Sequence, residues 1–446
     1  MSTQDKKRDT MFENLKGALT KIDADCVELN RDVLDCVDRE IGKAKDVQDE
    51  AMSFLDGLKA HLVQYPEPMF ALLRRVKPIL LIKNFALVTR FEDVQEVLAH
   101  DDVFLVTYGE KMRVVTGGGN FFLGMQDSPE YTRDVSHMRS VLRREDIPDR
   151  ITAFVQKTAN DLVAAAGSQL DVVPQLSKVV PARWVAEYFG CAPPSDQQLA
   201  AWGSVIFQYL FTDLNNDPNL AQATAKAAAA VRTWLDETIA ERKASRTAKD
   251  DVIGRCLALQ SVGLPATDDV SIRNNLLGLL VGAIPTTSKC CAQALDELFK
   301  RPEQLKAAQA AAVADDDALL GKYVFEALRF NPNNPGLFRL TAEDYPLARA
   351  SLHGTTIPKG TSVIAATQSA MFDDRFVDQP NDFRIDRPEY LSMHFGHGLH
   401  TCFGQYVNRV QIPAILKALL KRPGLQRAGD LQYEGPFPSS LRVRFN

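Results

Sequence analysis

The chain lacks the features that mark several large classes of protein. Its seven cysteines are odd in number and include no Cys-x-x-Cys pair, so we predict neither a disulfide framework nor a zinc site. No apolar run approaches the roughly 20 residues that a helix needs to span a bilayer. Residues 1–10 are charged rather than apolar, unlike a secretory leader. We therefore expect a cytoplasmic protein without a membrane anchor.

Charge of one sign is not in excess either. The sequence has 52 basic and 57 acidic residues and a net charge of −5, whereas nucleic-acid-binding proteins carry a basic patch or stripe. We therefore expect no nucleic-acid partner. There is also no internal repeat and no Ser/Gly-rich linker. With 45% hydrophobic and 24% charged residues, the composition is that of a globular protein.

The spacing of apolar residues is mainly helical. Stripes at helical spacing occur within residues 1–64, which we predict to form a helical extension, and again within residues 196–261. Short β-like runs occur at Ile79–Ile82 and Ala86–Thr89, and the last strands are expected within residues 431–445. These patterns predict a mainly α fold with a small β-sheet.

The most informative segment runs from Phe395 to Gly404 and reads Phe-Gly-His-Gly-Leu-His-Thr-Cys-Phe-Gly. Its glycines permit positive φ and a close approach of the backbone to a flat ligand. A helical pattern follows from Gln405, so Cys402 lies at or just before a helix N-terminus, where the thiol pKa is expected to fall below its usual ~8.5. A thiolate in this position can be a metal ligand or a nucleophile, and the alternative is an inert buried cysteine.

This segment resembles the haem-binding loop of the cytochrome P450 superfamily, Phe-Gly-x-Gly-x-His-x-Cys-x-Gly, at every specified position. The resemblance implies that residues 65–446 form a cytochrome P450 domain and bind haem b. It further implies that Cys402 is the axial thiolate ligand of the iron. His400 would then face a haem propionate, and Phe395 and Gly396 would lie against the cofactor.

A second part of the resemblance lies upstream of the loop. Glu326 and Arg329 are three residues apart in a helical pattern, so the carboxylate and the guanidinium can pair on one face. In the family a Glu-x-x-Arg pair is joined by a further arginine, here Arg387, in a network that supports the cysteine loop. The same comparison makes Arg339 a propionate ligand and places Leu337 and Phe338 beside the substrate.

A basic helical pattern at residues 131–144 provides Arg139 as a further propionate candidate. The alternatives are a solvated basic face or a surface for an acidic electron donor. Residues 104–126 are loop-like and correspond to the family's loop over the distal face of the haem. Its Phe121, Phe122 and Leu123 are therefore candidate pocket residues, although aromatic residues in loops also serve as anchors to the core.

The apolar helical segment Leu276–Thr287 corresponds to the helix that crosses the haem. Gly282 and Ala283 leave room for a flat ligand, and Leu279 is a candidate pocket residue. The family has an acid before the first threonine of this segment, but this chain has Pro285. Thr286 would orient protons during catalysis, unless its hydroxyl simply bonds back to a helix carbonyl.

The resemblance implies a monooxygenase that inserts one oxygen atom from dioxygen into an apolar small molecule. Electrons would come from a separate ferredoxin-type donor and its reductase. Because the acid is replaced by Pro285, a peroxide-driven peroxygenase or a hydroperoxide-rearranging enzyme on the same fold is an alternative. A non-catalytic haem-thiolate ligand sensor is a third reading of the same residues.

Overall fold

The structure is a computed structural model that describes residues 66–213, 216–245 and 248–446. The predicted helical extension over residues 1–64 lies outside the described residues. The described chain forms two compact units. Unit 1 contains the described residues up to Phe104 together with Pro335–Pro380, and unit 2 contains Leu105–Asn334 and Asn381–Asn446. Within the described ranges, no helix is both long enough and apolar enough to cross a membrane.

Helices account for most of the regular structure. In chain order they are α1 Pro66–Val76, α2 Phe91–Ala99, α3 Gly109–Thr116, α4 Pro129–Val141, α5 Ala153–Ala165, α6 Val179–Phe189, α7 Asp196–Phe211, α8 Pro218–Ser245, α9 Val252–Ser261, α10 Asp269–Phe299, α11 Pro302–Val313, α12 Asp317–Phe330, α13 Thr367–Ala370 and α14 Gln405–Leu420. Short π-helical turns occupy Ile147–Thr152 and Val173–Ser177, and 3₁₀ turns occupy Phe122–Gly124 and Glu389–Leu391.

The strands are short. In chain order they are β1 Ile79–Ile82, β2 Phe85–Val88, β3 Phe104–Leu105, β4 Gln169–Asp171, β5 Leu337–Thr341, β6 Tyr345–Leu347, β7 Thr355–Ile357, β8 Ser362–Ala365, β9 Gln426–Arg427, β10 Gln432–Glu434, β11 Phe437–Ser440 and β12 Arg442–Arg444. The predicted β-like runs are thus confirmed as β1 and β2, and the predicted last strands as β10 to β12. The prediction of a mainly α fold with a small sheet is confirmed.

Unit 1 contains the main sheet, in the order β1-β2-β8-β5 with β3 at the edge. Strands β1 and β2 form an antiparallel hairpin, β2 runs parallel to β8, and β8 is antiparallel to β5. All four residues of β2 are buried, because an apolar run with no polar alternation is suited to a central strand. Phe70 of α1 packs with the apolar residues of β1 and β2 in one core cluster.

Unit 2 is built around α10. Asp268 caps this helix by accepting a hydrogen bond from the Ser271 amide at 3.1 Å, which satisfies one free donor of the first turn. The middle of the helix, residues 276–285, is apolar on nearly every side, and the helix is buried along most of its length, as expected for a helix surrounded by others. It packs against α6, α7, α8, α12 and α14.

Two local predictions differ from the structure. The segment 104–126 was expected to be a loop but contains α3, whose first half has the good helix formers Glu110 to Arg113 and which ends at Gly117 in the left-handed conformation with φ of 78°. The helical region 196–261 contains a third helix, α9, in addition to α7 and α8. Asp251 starts α9 by accepting from the Gly254 amide at 2.8 Å.

Candidate active site

The cysteine loop, residues 395–404, folds tightly just before α14. Gly396 and Gly398 have φ of 77° and 74°, a conformation that residues with a side chain rarely adopt. The Cys402 amide donates to the Phe395 carbonyl at 2.8 Å and closes the loop. Gly404 is the N-cap of α14, so Cys402 lies just before a helix N-terminus as predicted.

The electrostatic environment of the Cys402 thiol differs from the prediction. Burial raises the pKa of Cys402, and a hydrogen bond from the Gly404 backbone only partly opposes that shift. When only protein groups surround the sulfur, the predicted lowering of the Cys402 pKa is therefore wrong. Burial raises the pKa by more than the backbone at the helix N-terminus lowers it. A cation that faces the sulfur would reverse this balance, since a coordinating thiol is deprotonated by its metal.

Two elements of unit 2 brace the loop from the side. The Tyr131 hydroxyl of α4 donates to the Leu399 carbonyl at 3.0 Å, and its ring lies 5.2 Å from the His400 ring. The Phe122 ring lies 5.1 Å from the Phe403 ring. Arg139, the predicted propionate ligand on α4, is exposed, and its predicted role stays a prediction.

The structure brings Glu326, Arg329 and Arg387 together. Arg329 donates to both Glu326 oxygens, at 2.7 and 3.0 Å, and Arg387 Nε donates to the same carboxylate at 3.3 Å. The Arg384 amide adds a bond of 2.9 Å to Glu326 Oε1, and both arginines also donate to the Asp382 carbonyl. This buried carboxylate therefore holds the segment that leads into the cysteine loop.

Helix α12 also contacts the start of that loop directly. The Phe325 ring lies 5.6 Å from the His394 ring and 5.8 Å from the Phe395 ring. Burial, assisted by the positive charges of Arg329 and Arg409, lowers the pKa of His394 to about 3. His394 is therefore neutral at physiological pH, as its apolar contact requires.

A stripe on α10 in unit 2 borders open space. Gly282 is exposed although Val281 and Ile284 are fully buried, and a Cβ built at Gly282 would meet no atom within 4 Å. Ala283 and Thr286 are half-buried on the same face. We call this space the hollow, and define it by Gly282, Ala283 and Thr286.

The hollow and the cysteine loop are close together. Cys290 lies one turn beyond Thr286 on α10 and is half-buried. Burial, and then the nearby Cys402 sulfur, raise the pKa of Cys290 to about 12. The Thr287 hydroxyl of α10 donates to Asn408, and a Cβ built at Gly404 would lie 3.8 Å from the Asn408 side chain and 4.0 Å from the Cys402 sulfur, so this end of the α10 stripe reaches the neighbourhood of the predicted iron ligand.

Pro285 does not face the hollow. A Cβ built at Gly203 of α7 would lie 3.5 Å from the Pro285 ring, so the ring is directed at α7, where Gly203 allows close packing. The Thr286 hydroxyl donates to the Gly282 carbonyl at 2.5 Å, which is the back-bonded arrangement weighed from the sequence. The next hydroxyl, of Thr287, donates to Asn408 at 3.0 Å and ties α10 to α14.

The predicted pocket residues lie in both units. In unit 2, Phe121, Phe122 and Leu279 are buried and Leu123 is half-buried. A Cβ at Gly278 would lie 2.5 Å from the Phe121 ring, so this ring packs directly on α10. In unit 1, Arg339 is buried on β5 with Leu337 and Phe338 half-buried beside it. Arg339 Nη1 donates to the Phe338 carbonyl at 2.9 Å.

Sequence reasoning missed several residues that shape this site. Tyr131 and Asn408 act through contacts with residues 268 and 121 positions away, for which the sequence has no local signal. His394 directly precedes the recognised loop, and Gly278 stands out as a glycine within an apolar helix. Both could have been singled out from the sequence.

Comparisons with known proteins identify the family. The family model described as Cytochrome P450 matches residues 80–427. The chain is 28% identical over 341 residues to an erythromycin C-12 hydroxylase of Saccharopolyspora erythraea, covering 76% of this chain and 81% of that protein. It is 24% identical over 362 residues to a steroid C26-monooxygenase of Mycolicibacterium smegmatis, covering 80% and 86%. The crystal structure of CalO2 shares the fold, with a TM-score of 0.74 and 23% identity over 87% of this chain and 97% of that one.

The residues present fit an iron porphyrin. A flat group needs a backbone without side-chain bulk, which Gly282 provides, and iron needs a thiol that is set deep in the protein yet partly accessible. Cys402 meets this second need. Its protein surroundings desolvate the thiol enough to raise its pKa, yet the residue is half-buried and can still be reached by a ligand. The chain therefore belongs to the cytochrome P450 family and is a haem-binding monooxygenase rather than a non-catalytic sensor.

Proposed function

We propose that the chain inserts one oxygen atom from dioxygen into an apolar small molecule, with electrons from a separate ferredoxin and reductase. Residues 65–446 would form the catalytic domain, and the Cys402 sulfur would hold the iron. The observation that supports this most directly is the closeness of the Cys402 loop to the open stripe of α10. The cysteines of the described residues are free, which fits a reducing cytoplasm.

When bound, haem supplies the redox chemistry and the activation of oxygen. The protein residues would supply the setting for it. The Gly404 amide donates to the Cys402 sulfur and so moderates its donor strength. The Glu326 network fixes the chain that enters the loop. With a ligand in the hollow, Phe121, Leu279 and the apolar sides of α10 would limit the access of water, which would strengthen electrostatic interactions there.

The Thr286 hydroxyl would be the proton-handling group nearest the hollow. It now donates to the Gly282 carbonyl at 2.5 Å, and rotation about its χ1 bond would turn the hydroxyl toward the hollow. Phe395, Gly396 and His400 would lie against the cofactor. The carboxylate that typical members of the family place before this threonine is replaced by Pro285, whose ring packs toward α7. Any proton therefore reaches Thr286 by a route that does not use residue 285.

The ligand assignment can be tested by the spectrum of the reduced carbon monoxide adduct. Purified wild-type protein supplemented with haem should show the red-shifted band of thiolate ligation. Cys402→Ser should lose that band, whereas Cys290→Ser, which removes the other thiol close to the hollow, should keep it. A red-shifted band in Cys402→Ser, or none in the wild type, would overturn the assignment.

Pro285 supports one second candidate, a peroxide-driven peroxygenase or hydroperoxide-rearranging enzyme. A screen of fatty acids, terpenoids, aromatics and steroids for spectral shifts would first provide a binding compound. Turnover of that compound with hydrogen peroxide alone is then compared with turnover by dioxygen plus a surrogate ferredoxin and reductase. Product only in the reaction with dioxygen and the redox proteins would dismiss the peroxide-driven candidate. Product only in the reaction with hydrogen peroxide would displace the dioxygen proposal.

A further inference from the structure

Lys289 lies at the edge of the hollow. It follows Thr286 by three positions and Gly282 by seven on α10, and residues at these intervals share one helical face. The Cβ atoms of Thr286 and Lys289 are therefore about 5–6 Å apart. The Lys289 side chain is half-buried, and burial lowers its pKa to about 8. Partial accessibility combined with desolvation is expected of a side chain that faces an internal space.

This ammonium has no anionic partner among residues 66–213, 216–245 and 248–446. Its recorded neighbours are the Phe437 ring, whose centroid is 6.0 Å from Nζ, and the Cys290 thiol. Two other lysines of unit 2 with little exposure are paired with carboxylates. Lys417 lies 2.8 Å from Asp315 and 2.6 Å from Asp317, and Lys111 lies 3.0 Å from Asp213. Lys289 thus differs from Lys417 and Lys111, whose charges are each balanced by a carboxylate within the described residues.

The surroundings of Lys289 are aromatic. Phe437 begins β11, and its ring lies 5.6 Å from the Phe207 ring of α7, which in turn lies 4.6 Å from the Phe211 ring. Aromatic rings beside the ammonium restrict its hydration, and a ligand carboxylate would offset that loss. The cation–π contact at 6.0 Å is at the outer limit of a useful interaction. Lys289 therefore has the chemistry of a binding residue whose partner is a ligand.

We propose that Lys289 binds the carboxylate of an otherwise apolar organic acid and so orients this substrate in the hollow. The inference rests on the proposed function, since it assigns the substrate class of the same site. One ammonium neutralises one carboxylate, whereas a phosphate dianion would leave an uncompensated charge among aromatic rings. With the acid held at Lys289, the apolar remainder extends along α10 past Thr286 toward Gly282.

The test compares acids with their uncharged esters. Binding of dodecanoate, 4-phenylbutanoate and their methyl esters is measured on the haem-loaded protein by calorimetry and by the shift of the Soret band. For at least one pair, the wild type should bind the acid about tenfold more tightly than the ester, the factor expected for a charge-assisted contact. Lys289→Met should lose this preference, and Lys289→Arg should retain it.

Three results would overturn the inference: equal affinity of the wild type for acid and ester in both pairs, an unchanged acid preference in Lys289→Met, or a loss of haem from Lys289→Met. Haem content is measured by the pyridine haemochrome assay, and its loss would mean that Lys289 faces the carboxylates of the cofactor. The wild-type comparison needs no variant to fold. A normal carbon monoxide band without acid preference would sink this inference alone, whereas an absent band would sink the proposed function.

Discussion

At the scale of single residues, Glu326 is the buried carboxylate that accepts several hydrogen bonds in the candidate site. It is 6% exposed and accepts bonds from Arg329, Arg387 and the Arg384 amide. Burial of a charge is tolerated only when it is paired and hydrogen-bonded. Removal of one partner therefore leaves an uncompensated charge inside the protein. This lowers the free energy of unfolding by more than the intact pair contributes to it.

Glu326→Gln should lower the free energy of unfolding by roughly 3–5 kcal/mol, because Arg329 stays buried without its counter-ion. Urea titration of the haem-free protein measures this, and haem content measures the effect on the cysteine loop. Asp386→Asn is the control, since Asp386 pairs with Arg384 near this site but is largely exposed. It should leave the free energy of unfolding essentially unchanged, because the exposed pair is screened by solvent. Equal effects of the two substitutions would contradict the role given to Glu326.

At the scale of elements, α10 and its two glycines have opposite surroundings. A Cβ at Gly278 would lie 2.5 Å from the Phe121 ring, whereas a Cβ at Gly282 would meet nothing within 4 Å. Gly278 is therefore required for the packing of the helix, whereas Gly282 leaves space for a ligand. The same small residue serves two purposes one turn apart.

The pair Gly278→Ala and Gly282→Ala separates these purposes. Gly278→Ala should destabilise the haem-free protein by roughly 1–3 kcal/mol through overpacking against Phe121. Gly282→Ala should stabilise it by up to about 1 kcal/mol through helix propensity but reduce haem uptake, because the methyl group enters the hollow. Thermal unfolding and haem titration measure the two effects. Full haem uptake by Gly282→Ala would show that the hollow is not the cofactor's space.

Helix α10 also carries the departure at Pro285. Pro285→Asp restores the acid that typical members of the family have, and we expect a larger fraction of consumed reductant to appear as product. Pro285→Ala is the matched control, because it restores the backbone donor of the helix without an acid. Coupling is measured as product formed per NAD(P)H consumed with the surrogate redox system. Equal gains in both variants would attribute the effect to the backbone, and unchanged coupling in Pro285→Asp would mean that protons reach the hollow by another route.

At the scale of the whole molecule, the sequence predicts what is local and misses what is brought together by folding. The cysteine loop, the Glu326–Arg329 pair and helices such as α4, α10 and α14 were predictable because motif and period lie within a few residues. Tyr131 was not, because it meets Leu399 across 268 positions. Lys289 belongs to the same group, since only the packing of α10, α7 and β11 reveals that its ammonium is unpaired among the described residues.

Stability of the whole molecule should fall at mildly acidic pH because of His394. Burial lowers its pKa in the folded protein to about 3, from 6.5 when solvated, so between these values the unfolded chain binds the extra proton. Stability is therefore complete above pH 6.5 and is lost as the pH falls, by about 2 kcal/mol at roughly pH 5.

Urea titrations of the wild type and of His394→Asn, at neutral pH and at roughly pH 5, measure the contribution of His394 to the free energy of unfolding. His394→Asn should be less stable than the wild type at neutral pH, and its stability should depend less on pH. Phe395→Leu, which loosens the same contact with Phe325 without removing a titrating group, should keep the wild-type dependence. If the loss between the two pH values is the same in His394→Asn as in the wild type, the acid sensitivity arises elsewhere. If the stability of His394→Asn does not change between the two pH values, the contact between α12 and the start of the cysteine loop is the point at which acid unfolds this protein.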